Sequence, residues 1–286
     1  MRTLVFLVLI LSMATANADS HTGTMKRIAE TGEFRIGYVP DAPPLSFEDD
    51  EGNVIGYSID LCRRVAADAR DQLGLEKVDI TFTPLRTMEQ RLSAIENGDV
   101  DIECGATTVT LSRRARVDFS LMTFITGSAV LSLQSDPIDR VDDLAGAKIA
   151  VLGGTTTEDV LRRVMEINEF KIKLKLIDSH DEGMQLLNDG KVAGYASDRS
   201  MLIGQVFRNA NAKNKYAMTR SALSFEPYAL MLQRGDSEFR LVADKALASL
   251  YRGAGIRRLY HKWFGRYGEP LSPIVEAMYE FQAVGE

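Results

Sequence analysis

Residues 100–114 read VDIECGATTVTLSRR and residues 148–168 read KIAVLGGTTTEDVLRRVMEIN. Each stretch passes from a short apolar run through a small, hydroxyl-rich loop into a helix. In the first, Val100 to Cys104 is a predicted strand, Gly105 to Thr108 the loop, and Thr110 the cap of a brief basic helix carrying Arg113, Arg114 and Arg116. In the second, strand Lys148 to Leu152 runs through Gly153 and Gly154 into a helix over Thr157 to Asn168. A strand that feeds a helix through a tight loop is the unit of an open α/β sheet, whose ligands bind beyond the carboxyl ends of the strands.

The same alternation extends outward from both stretches. Phe34 to Val39 reads as a strand. Ile59, Cys62, Val65, Ala66, Ala69 and Leu73 recur at helical spacing, and Val78 to Thr83 is again a strand. Thr87 with Gln90 forms a capping box for a helix that stops near Gly98. Later come a helical turn at Leu144 to Gly146, strand Lys171 to Ile177, helix Asp181 to Asn188, strand Ala193 to Ser197 and helix Ser200 to Arg208. Two α/β units in series predict two lobes, each a mostly parallel sheet flanked by helices, with a cleft between them. Phe124 to Leu133 and Glu226 to Leu232 are extended and apolar, and are the expected crossings between lobes. The helices from Glu238 onward then return to the first lobe. Lobe 1 is expected to comprise residues 25–124 plus 228–286, and lobe 2 residues 125–227.

The chain has 286 residues, 45% hydrophobic and 26% charged, which excludes disorder and a disulfide-stapled mini-protein. Arg2, the apolar run Thr3 to Met13 and the Ala16-Asn17-Ala18 site read as a secretory signal peptide, residues 1–18. The run is about ten residues, against the roughly 20 that span a bilayer. Cleavage after Ala18 leaves 268 residues and, since Arg2 is the leader's only charge, moves the net charge from −6 to −7. So acidic a chain is a poor nucleic-acid binder. No cysteine marks a lipid anchor at the cleavage point, so a soluble periplasmic protein is expected. Cys62 and Cys104 are the only cysteines; export permits one disulfide between them, and two buried thiols fit equally well. No zinc-ligand spacing accompanies them, so no metal is expected.

The loop Gly105 to Thr108, with free backbone N–H groups, threonine hydroxyls and the Arg113 fork, suits a carboxylate; an ordinary capped turn with a solvated arginine suits it equally. Gly153 to Glu158 offers a second helix N-terminus on the other unit. Asp198, beyond strand Ala193 to Ser197, can meet an ammonium or cap the next helix. His180 alone reads as a surface or capping residue. Neither a P-loop nor a Gly-x-Gly-x-x-Gly is present, so no cofactor is expected. Gly-x-Ser-x-Gly is absent too, and catalytic residues are not expected.

Taken in order, GYSIDLC at 56–62, ECGATT at 103–108, Arg113, DFS at 118–120, GGTTTE at 153–158 and KWF at 262–264 resemble the periplasmic amino-acid-binding proteins of ABC importers, solute-binding protein family 3. The likeness is nearest to the glutamate/aspartate branch. It implies a monomer that closes its two lobes on a free amino acid and delivers it to a permease in the inner membrane. By matching position, Arg113 would pair with the ligand α-carboxylate, helped by Thr108 and Thr156, and Asp198 would take the α-ammonium. Arg91 and His180 would meet a side-chain carboxylate, and Tyr57 would pack over the ligand side chain. Three positions depart from that branch: Val39 stands where it has an arginine, and Met88 and Ala106 stand where it has serine-like residues. A neutral or other polar amino acid therefore remains an alternative ligand. A cyclohexadienyl or arogenate dehydratase on the same fold, with Glu226 or Asp198 as its acid, is the competing enzymatic reading.

Overall fold

A computed structural model describes residues 21–208 and 215–285; the expected signal peptide, residues 1–18, lies outside them. The chain opens with α1 (Gly23–Thr31), β1 (Glu33–Tyr38), the short strands β2 (Asp41–Ala42), β3 (Ser46–Glu48) and β4 (Val54–Ile55), then α2 (Tyr57–Gln72). It continues through β5 (Asp79–Pro84), α3 (Met88–Glu96), β6 (Ile102–Glu103), α4 (Leu111–Arg114), β7 (Asp118–Thr126) and β8 (Ser128–Leu133). Next come β9 (Lys148–Leu152), α5 (Thr156–Asn168), β10 (Lys173–Ile177), α6 (His180–Asn188), β11 (Gly194–Asp198), α7 (Arg199–Arg208) and β12 (Tyr216–Met218). Strand β13 (Glu226–Leu232) and helices α8 (Ser237–Arg252), α9 (Gly255–Trp263) and α10 (Pro273–Gln282) complete it.

Two five-stranded sheets carry the two lobes, in the orders β5-β1-β6-β13-β7 and β10-β9-β11-β8-β12. Each is mostly parallel, and each has one strand that runs against the rest: β13 in the first sheet and β8 in the second. Both odd strands are those that have just crossed from the other lobe. The sequence reads Phe124 to Leu133 as one connector, but the strand divides at Gly127, where the chain changes sheets. A Cβ there would stand 2.4 Å from the Ser224 carbonyl oxygen, so the two crossings pass in backbone contact and only glycine fits.

Local signals set the helix starts that aim side chains into the cleft. Thr87 accepts from the Gln90 N–H while the Gln90 side chain accepts from the Thr87 N–H, so the capping box holds α3 in register. Thr110 accepts from the Arg113 N–H and begins α4. Thr155, two residues before the expected start, caps α5. The small sheet β2-β3-β4 and strand β12 have no counterpart in the sequence reading, because two- and three-residue strands carry no periodicity. An aromatic cluster of Tyr57, Phe124, Tyr228, Tyr260 and Phe264 packs α2, β7, β13 and α9 together, so the C-terminal helices share the core of the first sheet.

Cys62 on α2 and Cys104, just beyond β6, are disulfide-bonded. The pairing left open by the sequence is thus made, and it ties the helix to the strand that leads into the ECGATT loop. It spans 42 residues, for which loop-closure entropy gives a stabilisation of about 4 kcal/mol. Chemical denaturation of the double variant Cys62→Ser/Cys104→Ser is expected to show a loss of about 2–4 kcal/mol, with ordinary far-UV circular dichroism.

Candidate functional site

The carboxyl ends of β1, β6, β9, β10 and β11 converge on one cavity between the lobes. From the first lobe come Val39, Met88 and Arg91 of α3, Ala106 and Thr108 of the loop after β6, and Arg113 of α4. From the second lobe come Thr155 to Thr157 at the start of α5, His180 as the first residue of α6, and Asp198 at the end of β11. Nine of the ten expected ligand-site residues therefore line it.

Tyr57 does not. It is fully buried, and its hydroxyl bonds the Thr123 carbonyl at 2.9 Å and the Tyr279 hydroxyl at 2.7 Å. The first turn of α2 dips into the aromatic cluster, where the ring packs against Phe124 and Phe264. The expected packing over a ligand side chain is corrected accordingly.

Arg113 is 7% exposed, and its Nη1 donates to the Thr108 carbonyl at 2.7 Å, which fixes the guanidinium plane beside the cavity. Burial and the nearby Arg91 lower its pKa to about 10, so it stays charged at neutral pH. Among the described residues no carboxylate forms an ion pair with it. Arg91 is different: its Nε donates to Glu103 Oε1 at 2.8 Å and its Nη2 to Thr107, whose hydroxyl donates to Glu103 Oε2 at 2.7 Å. With both partners almost fully buried, this closed triad satisfies two of the guanidinium's nitrogens and most of its charge.

On the opposite wall, burial also lowers the His180 pKa, so the imidazole is neutral. Its Nδ1 bonds the Tyr195 hydroxyl, and burial keeps that phenol protonated well beyond its ordinary range. That bond ties the ring to β11 through Nδ1. The helix that presents His180 is itself held across the cleft. Asp41 of the first lobe accepts from the backbone N–H of His180 at 2.7 Å and of Asp181 at 3.3 Å, at the positive end of α6.

Asp198 does not cap α7. Its carboxylate accepts from Tyr228 on β13, and from Ser128 at 3.3 Å. Burial, and then the neighbouring Glu226, raise its pKa to about 6. Glu226, weighed at first only as an enzymatic acid, lies behind the cavity wall. Thr108 and Thr156, one from each lobe, both donate to its Oε2 at 2.7 Å. With their protons so directed, the two hydroxyls turn lone pairs toward the cavity, a better match for an ammonium than for a carboxylate. A carboxylate beside Arg113 is then left with the guanidinium and the backbone N–H groups that open α5.

Two further contributions escape sequence reasoning. Arg86, an exposed residue before α3, lines the cavity rim, and among the described residues none forms an ion pair with it. Gly204 of α7 faces the first lobe so closely that a Cβ would stand 2.0 Å from the Pro43 carbonyl oxygen. Beside it, Gln205 donates to the Asp41 carbonyl at 2.7 Å. Among the described residues no group of acidic, histidine or cysteine side chains is placed to hold a metal ion.

Comparison with known proteins gives the family. The chain is 32% identical over 268 residues to an L-glutamate/L-aspartate-binding protein of Pseudomonas aeruginosa, covering 93% of this chain and 87% of that protein. A glutamate/aspartate import solute-binding protein of Escherichia coli is 25% identical over 262 residues, covering 90% and 86%. Among solved structures, an ancestral arginine-binding protein bound to glutamine superposes with a TM-score of 0.72 at 29% identity, over 82% of this chain and 98% of that one. An ancestral amino-acid-binding protein described as a precursor of cyclohexadienyl dehydratase matches with a TM-score of 0.72 at 26% identity, over 85% and 100%. The curated relatives are solute-binding proteins of transporters, which are not enzymes. The model of the bacterial extracellular solute-binding proteins, family 3, matches residues 34–266, and the chain belongs to that family.

Proposed function

We propose that the protein captures a free amino acid, glutamate or aspartate, between its lobes and presents it to the permease of an ABC importer. It would act as a monomer in the periplasm after loss of residues 1–18. The observation that carries this reading is one cavity that joins Arg113 and Arg91 of one lobe to Asp198 and His180 of the other. Among the described residues Arg113 is a buried cation without a carboxylate partner, and a ligand α-carboxylate supplies one. Asp198, across the cleft, takes the α-ammonium, so the zwitterion is held only when both lobes reach it. Binding thereby favours the closed arrangement by population shift. The lobes, residues 25–124 with 228–286 and 125–227, would turn about the paired crossings at Gly127 and Ser224.

At the side-chain end the polar groups are Arg91, His180 and, on the rim, Arg86, with Val39, Met88 and Ala106 supplying apolar wall. These donors match a carboxylate. One observation favours a neutral polar amino acid instead: Glu103 already offsets much of the Arg91 charge. Titration calorimetry with the twenty amino acids separates the two. Glutamate or aspartate is expected to bind with a Kd around micromolar, about −8 kcal/mol. A strong response confined to a neutral residue would refute the acidic preference.

Two variants probe the mechanism. Arg113→Ala is expected to abolish measurable binding of every amino acid, because it leaves a buried carboxylate unpaired at a cost of several kcal/mol. Retained affinity would remove its assigned role. Gly204→Ala leaves the cavity untouched but places a methyl against the Pro43 carbonyl when the lobes meet. Affinity is expected to fall at least about tenfold for all ligands alike, with thermal stability of the ligand-free protein little changed.

A further inference from the structure

Asp198 and Glu226 form a buried carboxylate pair that the amino-acid reading uses only in part. Ser128 reaches both, 3.3 Å from Asp198 Oδ1 and 3.4 Å from Glu226 Oε1, and its single proton can serve one of them. The other donors are neutral: Tyr228 to Asp198, and Thr108, Thr156 and Ser224 to Glu226. No cation hydrogen-bonds either carboxylate among the described residues.

The charged and titratable groups around the pair come from every packed element. Arg113 of α4 faces it from the first lobe, with Arg91 and Glu103 beyond. Tyr228 contacts it from β13, and Tyr195 lies on β11 with His180 and Asp41 behind it. Arg199, next in sequence to Asp198, directs its guanidinium away, to the Met218 sulfur. From α5 and β8 only hydroxyls approach, those of Thr156, Thr157 and Ser128.

Arg113 faces the pair without a carboxylate partner among the described residues, and on the proposed function it is taken by the ligand α-carboxylate. Two buried negative charges then need a positive partner of their own. We propose that in the ligand-free protein Asp198, buried beside Glu226, takes up a proton under mildly acidic conditions, and that the ligand ammonium displaces it to solvent on binding. Glu226 is the positioning residue of this exchange. It adds to the proton affinity that burial gives Asp198 and turns the Thr108 and Thr156 hydroxyls into acceptors for the ammonium. The exchange conserves charge at the pair: a proton leaves as the ammonium arrives, and no bond to carbon is made or broken.

The raised Asp198 pKa, about 6, sets the window. Above it Asp198 is already ionised and binding releases nothing. Near it binding releases about half a proton, and below it each further pH unit weakens binding about tenfold. The inference rests on the cleft being an amino-acid site, so the experiment reads the two separately. The wild-type protein is titrated with glutamate at pH 8 and at pH 6, each in two buffers of different ionisation enthalpy. Binding at pH 8 without buffer dependence, binding at pH 6 with it, and a roughly tenfold rise in Kd from pH 7 to pH 5 are expected. Binding at pH 8 together with buffer-independent heat at pH 6 would overturn the exchange and leave the amino-acid site standing. If neither glutamate nor any other amino acid binds at pH 8, both readings fall. Glu226→Gln removes the like charge beside Asp198. The same step from pH 7 to pH 5 is then expected to cost clearly less than the wild-type tenfold, a change in the pH profile that loss of packing alone would not produce.

Discussion

The ladder that β13 makes with β6 on one side and β7 on the other is the constraint on which the rest of the molecule depends. Its far end, Leu230 to Leu232, is buried and apolar and is anchored in the first lobe. Its near end carries Glu226 and Tyr228, whose polar atoms reach Thr156 and Asp198 of the second lobe. One strand therefore belongs to the sheet, to the crossing and to the cavity wall. Any rotation of one lobe on the other must lengthen these near-end contacts before it disturbs the anchored end. Movement at the crossings and loss of the ligand site are in this way the same event.

Charge explains why the site is sensitive to that movement. The chain carries a net charge of −6, yet the cavity gathers three arginines around a buried floor. Buried ions are tolerated only when paired, and the pairing here is uneven. Arg91 is matched by Glu103, while Arg113 has only a carbonyl. Asp198 and Glu226 are the mirror case, two carboxylates with neutral donors. The protein thus sets a buried guanidinium without a carboxylate partner against buried carboxylates without a cation, and a zwitterion complements both. Because closure removes water, each of these attractions is stronger in the closed cavity than at an open surface.

Much of this was legible in the sequence because it rests on local signals. The caps Thr87 and Thr110 and the Gly-bounded strand ends fixed α3, α4 and α5 to within a residue or two. The side chains at the carboxyl ends of the strands had to face the cleft for topological reasons. What escaped depends on distant contacts. Glu226 acquires its setting from Thr108 and Thr156, 118 and 70 residues away, and nothing in its neighbours announces them. Tyr57 matched a ligand-facing position, but the direction of a side chain in a first helical turn is decided by packing, here against Phe264. Arg86 looks like any exposed arginine until the fold brings His180 to the other side of the same cavity.

The same hydrogen-bond inventory bears on which side chain fits. An amide and a carboxylate have nearly the same shape, but an amide brings two N–H donors that need acceptors. At the side-chain end the polar groups are the guanidinium nitrogens of Arg91 and Arg86, all donors, and the imidazole of His180. Both Glu103 oxygens there are engaged by Arg91 and Thr107, and Asp41 Oδ2 receives the first N–H groups of α6. A buried amide N–H left unpaired costs about 1–3 kcal/mol, roughly tenfold or more in affinity. Glu103 lowers the net positive charge available to a ligand carboxylate, but it does not supply an acceptor for an amide. Donor geometry, more than net charge, is what the proposed preference for an acidic side chain rests on.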